Sequence, residues 1–192
     1  GNRAELRIAG VGTLDGVPFD AVYAQPLGPD APPATVTGRV ELSGDAVERL
    51  RLGLPAGMVT GTGTGTVRID LPRGEPAQLD LVSDMAGLGL AIPELGWRKP
   101  REDTGSLALS ARLSAPAVIE TLDLSAAGLE ASGRITLRPG GGLDRARFDR
   151  VRLRGWLDAA VDLEGRGAGT PPAVSLTSGS VDLRRIVRGE GG

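Results

Sequence analysis

The chain has 192 residues, a net charge of −2 and a pI near 5.3, so it lacks the basic surplus that nucleic-acid binding requires. It contains no cysteine and no histidine, which excludes disulfides and thiolate chemistry and removes the commonest general base and metal ligand. Apolar residues make up 40% but aromatic ones only 3% (Phe19, Tyr23, Trp97, Phe148 and Trp156), so any core is built from Leu, Val, Ile and Ala.

The first segment, ELRIAGVGTL, alternates with period two and places Leu6, Ile8, Gly10, Gly12 and Leu14 on one strand face. After the turn LDG (14–16) comes a shorter strand, Pro18–Ala24, and after the loop GPDAPP (28–33) a strand with Val36, Gly38, Val40 and Leu42 on one face. SGDAVERLRLGLP predicts one short helix: Asp45 caps it, Glu48 follows three residues on, Val47 and Leu50 face inward, and Pro55 ends it.

Next comes VTGTGTGTVRIDL, Val59–Leu71. A phosphate loop needs a helix start and, in most versions, a lysine or an acidic ribose partner. Here no lysine follows, and Gly61, Gly63 and Gly65 are spaced by single residues. Parity explains the stretch better. Val59, the three glycines, Val67, Ile69 and Leu71 share one face, with threonines, Arg68 and Asp70 on the other. This is a half-buried strand of roughly 40 Å at ~3.3 Å per residue.

The turn PRGEP (72–76) leads to a strand over Ala77–Ser83, and then to GLGLAIPELGWRKP, apolar or small on both faces. There Trp97 beside Arg98 and Lys99 fits either a boundary between apolar and wet surroundings or a plug at one end of a β core. GSLALSARL sets Leu107, Leu109, Ala111 and Leu113 on one face; Val118–Leu124 is a shorter candidate; LEASGRITLR aligns Leu129, Ala131, Gly133, Ile135 and Leu137. After PGGG (139–142), the run VRLRGWLDAAVDLEG reads as one continuous alternation from Val151 through Leu153 and Leu157 to Val161 and Leu163. GAGTPP (167–172) then precedes short strands at Ala173–Thr177 and Ser180–Ile186. About ten strands with short connections imply a mainly β chain, an antiparallel meander with one short α-helix. Its long strands share one aliphatic face, which a second sheet, a partner or a ligand must cover.

Motifs for chemistry are few. Asp80 with Asp84, and Glu102 with Asp103, lack flanking patterns that raise a pKa, and no acidic cluster has calcium-loop spacing. No catalytic residue, metal site or cofactor is expected. Five arginines between Leu143 and Gly155 are diluted by Asp144 and Asp149 and read as a solvated strand face; the minority reading has them touch anionic headgroups or a neighbouring chain.

LVSDMAGLGLAIPELGWRKP, GSLALSARL, the long run from LDLSAAGLEASGRITLR to WLDAAVDLEGRG, and SGSVDLRR resemble the YhdP-type branch of the AsmA-like bacterial envelope proteins; VERLRLGLPAGMVTGTGTGTVRIDL is similar to the part just upstream. The resemblance spans most of 35–186, with 1–34 as a first hairpin and linker. It implies one β-rich segment of a long protein that is anchored in the inner membrane by an N-terminal helix. Such proteins extend through the Gram-negative periplasm, and their sheet curves into an open hydrophobic groove that carries phospholipid between the two membranes. The ends, Gly1-Asn2 and Gly191-Gly192, fit a piece cut from such a protein.

Together the pattern and the resemblance give a non-enzymatic lipid-conducting segment. The expected groove lining is Val67, Ile69, Leu71, Leu107, Leu109, Leu113, Leu129, Ile135, Leu137, Leu153, Leu157, Val161 and Leu163. Expected partners are phospholipid acyl chains, the remaining segments of the same protein, and other copies through edge-to-edge pairing, with no nucleic acid. Two rivals are a dry β-sandwich serving as a scaffold and an enzyme acting on envelope polysaccharide; the absence of His, Cys and clustered aromatic platforms makes the latter remote.

Overall fold

A computed structural model describes residues 4–14, 16–28, 30–55, 57–167 and 170–182. The strands are β1 (Glu5–Leu14), β2 (Val17–Pro26), β3 (Ala34–Ser43), β4 (Val59–Leu71), β5 (Ala77–Ser83), β6 (Leu88–Ile92), β7 (Trp97–Lys99), β8 (Gly105–Leu113), β9 (Val118–Ala126), β10 (Leu129–Leu137), β11 (Leu143–Leu153), β12 (Leu157–Glu164) and β13 (Ala173–Val181). Helix α1 (Gly44–Arg49) follows β3, and a 3-10 turn, Pro93–Leu95, separates β6 from β7.

Eleven strands form one open antiparallel meander in the order β1-β2-β3-β4-β5-β8-β9-β10-β11-β12-β13. β6 and β7 leave that path as an insert, with β6 pairing the start of β4 and β7 pairing β6. The expected single meander is therefore present, with eleven strands among the described residues rather than about ten, and two more in the insert. The predicted thirteen-residue strand is β4.

Two differences come from local rules. The run predicted to be continuous from Val151 to Leu163 is a hairpin. Arg154 and Gly155 take positive φ, the Trp156 N–H donates to the Leu153 carbonyl at 3.0 Å, and Leu153 pairs with Leu157. Three loop residues preserve parity, so the alternation passes through the turn unbroken. The helix cap is Ser43, whose Oγ accepts from the Ala46 N–H at 3.2 Å, rather than Asp45. With the start so placed, Ala46 faces the core and Leu50 falls outside the helix, 43% exposed. The short strands expected at Ala173–Thr177 and Ser180–Ile186 are one strand, β13, as far as Val181; residues 183–186 lie outside those described.

Register turns the alternation within strands into rows across them. One row reads Gly10, Ala21, Gly38, Val67, Leu81, Leu109, Leu122, Gly133, Phe148, Val161, Leu176. The next reads Ile8, Tyr23, Val36, Ile69, Leu79, Ala111, Ile119, Ile135, Ala146, Leu163, Val174. Apart from the Tyr23 hydroxyl, both rows are apolar or bare from edge to edge. Ten inter-strand steps of ~4.8 Å make each row about 48 Å long.

The sheet bends unevenly. No register shift interrupts the ladders from β1 to β8, whereas every ladder from β8 to β13 contains at least one. Bulges bend and twist the strand that carries them, so consecutive bulges curl this half. The polar face stays exposed, at Thr64, Thr66, Arg68, Arg147 and Arg152 for example, so the curl closes toward the apolar rows.

Candidate functional site

The apolar face has two parts. At the strand ends nearest the insert it is sealed: Met85, Leu88 and Trp97 pack with Ala126, Leu129, Val151, Leu153, Leu157, Ala159 and Val161 in one buried cluster. Trp97 is therefore the plug of a β core, its Nε1–H donating to the Ala127 carbonyl at 3.3 Å. Further along the strands, the cluster gives way to the open rows.

The glycines of β4 make room for the insert. Gly61 has φ +74, and a Cβ there would collide with the Gly87 carbonyl oxygen; one at Gly63 would lie 2.8 Å from the Ala86 oxygen. Any larger residue would push β6 off the sheet. At Gly65 the space is taken by Leu42 and Leu81 side chains, 3.3 Å from such a Cβ.

Lys99 is the residue that sequence reasoning missed. It is 1% exposed, and its Nζ donates to the carbonyls of Met85 (2.9 Å), Leu88 (2.7 Å), Pro100 (3.1 Å) and Asp103 (2.6 Å). Burying an ammonium is costly unless it is fully hydrogen-bonded, and here backbone oxygens from both ends of the insert surround it. A signal was present: Lys99 shares strand parity with Trp97, while Arg98 lies on the exposed side.

All thirteen expected lining residues lie on the apolar face, but not in one environment. Leu129, Leu153 and Leu157 are in the sealed cluster, and Leu107 packs against it. Val161 belongs to it as well, and Leu163 packs against it. Val67, Ile69, Leu71, Leu109, Leu113, Ile135 and Leu137 lie outside it, and among the described residues no second sheet covers them. At the two edges the apolar face is bare: Leu6 and Ile8 on β1, and Val174 and Leu176 on β13, are among the exposed large hydrophobics.

The opposite face carries ordinary charge chemistry. Arg150 donates to Asp158 at 2.9 and 2.7 Å, and this bond, reinforced by Arg152, lowers the Asp158 carboxyl from 3.8 to about 2. The same pairing raises the pKa of Arg150. Arg147 meets Asp162 at 3.3 Å and Arg152 meets Glu130 at 3.7 Å, so these arginines form a solvated ladder. The carboxylate pairs are dispersed too. Asp80 accepts from Ser110, Asp84 accepts from the Ala86 N–H at 3.0 Å, and Asp103 gives its carbonyl to Lys99. A shallow depression of about 530 Å³ on this polar face is walled by Pro26, Pro32, Pro33 and Pro72, away from the apolar rows.

Among the described residues no helix is long and apolar enough to cross a membrane. Comparison with known protein families, curated proteins and solved structures found no match to this chain.

Proposed function

We propose that the chain is a non-enzymatic segment that binds phospholipid acyl chains along its open apolar rows and conducts them between the inner and outer membranes of a Gram-negative envelope. The observation that carries the reading is the pair of continuous rows, crossing all eleven strands and bare at both edges. Each methylene that leaves water for such a surface gains about 0.8 kcal/mol. Rows made of Leu, Ile, Val, Ala and Gly offer similar contacts at every step, so a chain can slide without meeting a specific polar trap. The resemblance to AsmA-like, YhdP-type proteins supports the same reading and a periplasmic location.

The sealed cluster narrows the proposed lining. Val67, Ile69, Leu71, Leu109, Leu113, Ile135 and Leu137 remain available, whereas Leu129, Leu153, Leu157 and Val161, with Leu107 and Leu163 packed against them, serve the core. The test is lipid recovered with the purified protein by mass spectrometry, together with fluorescent-phospholipid binding. Binding is expected in the wild type and lost in Ile69→Asp and Ile135→Asp. A folded protein that takes up no lipid contradicts the proposal.

The core beneath Trp97 favours a second reading, a scaffolding β module that carries no ligand. That reading expects both aspartate variants to leave lipid content unchanged at zero.

A further inference from the structure

The two outer strands are protected differently. β1 carries Glu5 and Arg7, whereas β13, AVSLTSGSV, has neither a charge nor a proline in nine residues. Edge strands are commonly shielded by such residues, because an unpaired ladder invites another chain. Among the described residues β13 has no strand on its outer side, and its inner-face Val174 and Leu176 are 63% and 55% exposed.

We propose that β13 pairs antiparallel with β13 of a second copy of this chain, about a two-fold axis perpendicular to the sheet. Topology selects this arrangement. Among the described residues the meander has an odd number of strands, eleven, so β1 and β13 run parallel. A copy added by translation would set β1 against β13 in a parallel pair, slightly weaker per residue and open to endless growth. A two-fold axis gives an antiparallel pair and closes at two copies.

The inner face sets the register. The bulge in β13 puts Val174 and Leu176 on the same face as Gly179 and Val181. Pairing Val174 with Val181 of the second copy, and Leu176 with Gly179 of the second copy, matches inner residues with inner ones at both ends. Ser175 then faces Ser180 of the second copy on the polar side. The apolar rows of both copies run on from one another on one side of a joined sheet. This proposal stands whether or not the rows bind lipid.

Sedimentation velocity over a concentration series tests it, with the double variant Ser175→Lys/Ser180→Lys. Within the chain, Ser175 lies opposite Asp162 and Ser180 opposite Asp158, so each new lysine gains an acidic neighbour in the folded protomer. Across the proposed axis the lysines oppose one another, and self-association is expected to weaken about tenfold or more. The absence of native cysteine allows a second measurement. Under oxidation a mixture of Ser175→Cys and Ser180→Cys proteins is expected to form a disulfide-linked pair far more readily than either alone. If the lysine variant fails to fold, the cysteine mixture decides. Wild-type protein that stays monomeric, a dimer that survives the lysines, or cross-linking that does not favour the mixture would overturn the proposal.

Discussion

The Gly142 N–H donates to the Arg51 carbonyl at 2.8 Å. Arg51 follows α1 at the insert end of the sheet, and Gly142 sits in the β10–β11 turn at the other end, so this bond spans from one rim to the opposite one. A flat meander would hold these residues several strands and a full strand length apart. The bulges from β8 onward bring them together, and the trough is bridged at this point by the 50–53 loop.

Gly53 is the pressure point of that bridge. It has φ +74, and a Cβ there would lie 2.7 Å from the Gly142 Cα. Gly53→Leu is expected to part the rims at a cost of about 1–3 kcal/mol. Amide exchange at Gly142 should quicken, and under the lipid reading so should uptake of a fluorescent phospholipid. Unchanged exchange at Gly142 would show that the contact does not hold the rims.

Lys99 is expected to govern the insert. Lys99→Met keeps the bulk of the side chain but leaves carbonyls of Met85, Leu88, Pro100 and Asp103 without their donor. A loss of about 3 kcal/mol in urea unfolding is expected. A loss below about 0.5 kcal/mol would mean that water replaces the ammonium at little cost.

Asp158 makes an acid-limb prediction. Arg150 holds its carboxyl at about 2, against an ordinary 3.8. A carboxylate whose pKa is depressed by folding stabilises the fold above its unfolded value, and that contribution fades as pH falls through the folded one. Asp158→Asn is therefore expected to flatten part of the stability decline between about pH 4 and pH 2. The pair is exposed, so solvent screening keeps the effect small. Parallel wild-type and variant curves across this window would contradict the assignment.

Much of the fold was legible because alternation is a local signal. β4 carries it over thirteen residues without a bulge, and its bounds, Val59 and Leu71, are those the pattern set. β11 hides it. Its inner residues, Leu143, Ala146, Phe148, Val151 and Leu153, are spaced three, two, three and two apart, so period two fails at each bulge. The turn at Arg154–Trp156 vanished for the opposite reason, since its odd length preserves parity.

The candidate site was legible by face but not by depth. Leu129 and Ile135 have the same parity on β10, yet Leu129 lies under Trp97 and Ile135 does not. That distinction depends on where an insert far away in sequence folds back. The role of Gly61 and Gly63 was equally hidden, because the backbone they admit belongs to residues 86 and 87.

Photo-cross-linking with a phospholipid that carries a photoreactive group in its acyl chain tests the central claim most directly. Adducts are expected along the two rows, at Ile69, Leu109 and Ile135, with the threonine and arginine face of β4 left unlabelled. Labelling of the polar face alone, or none on a folded protein, would contradict an acyl-chain path along this sheet.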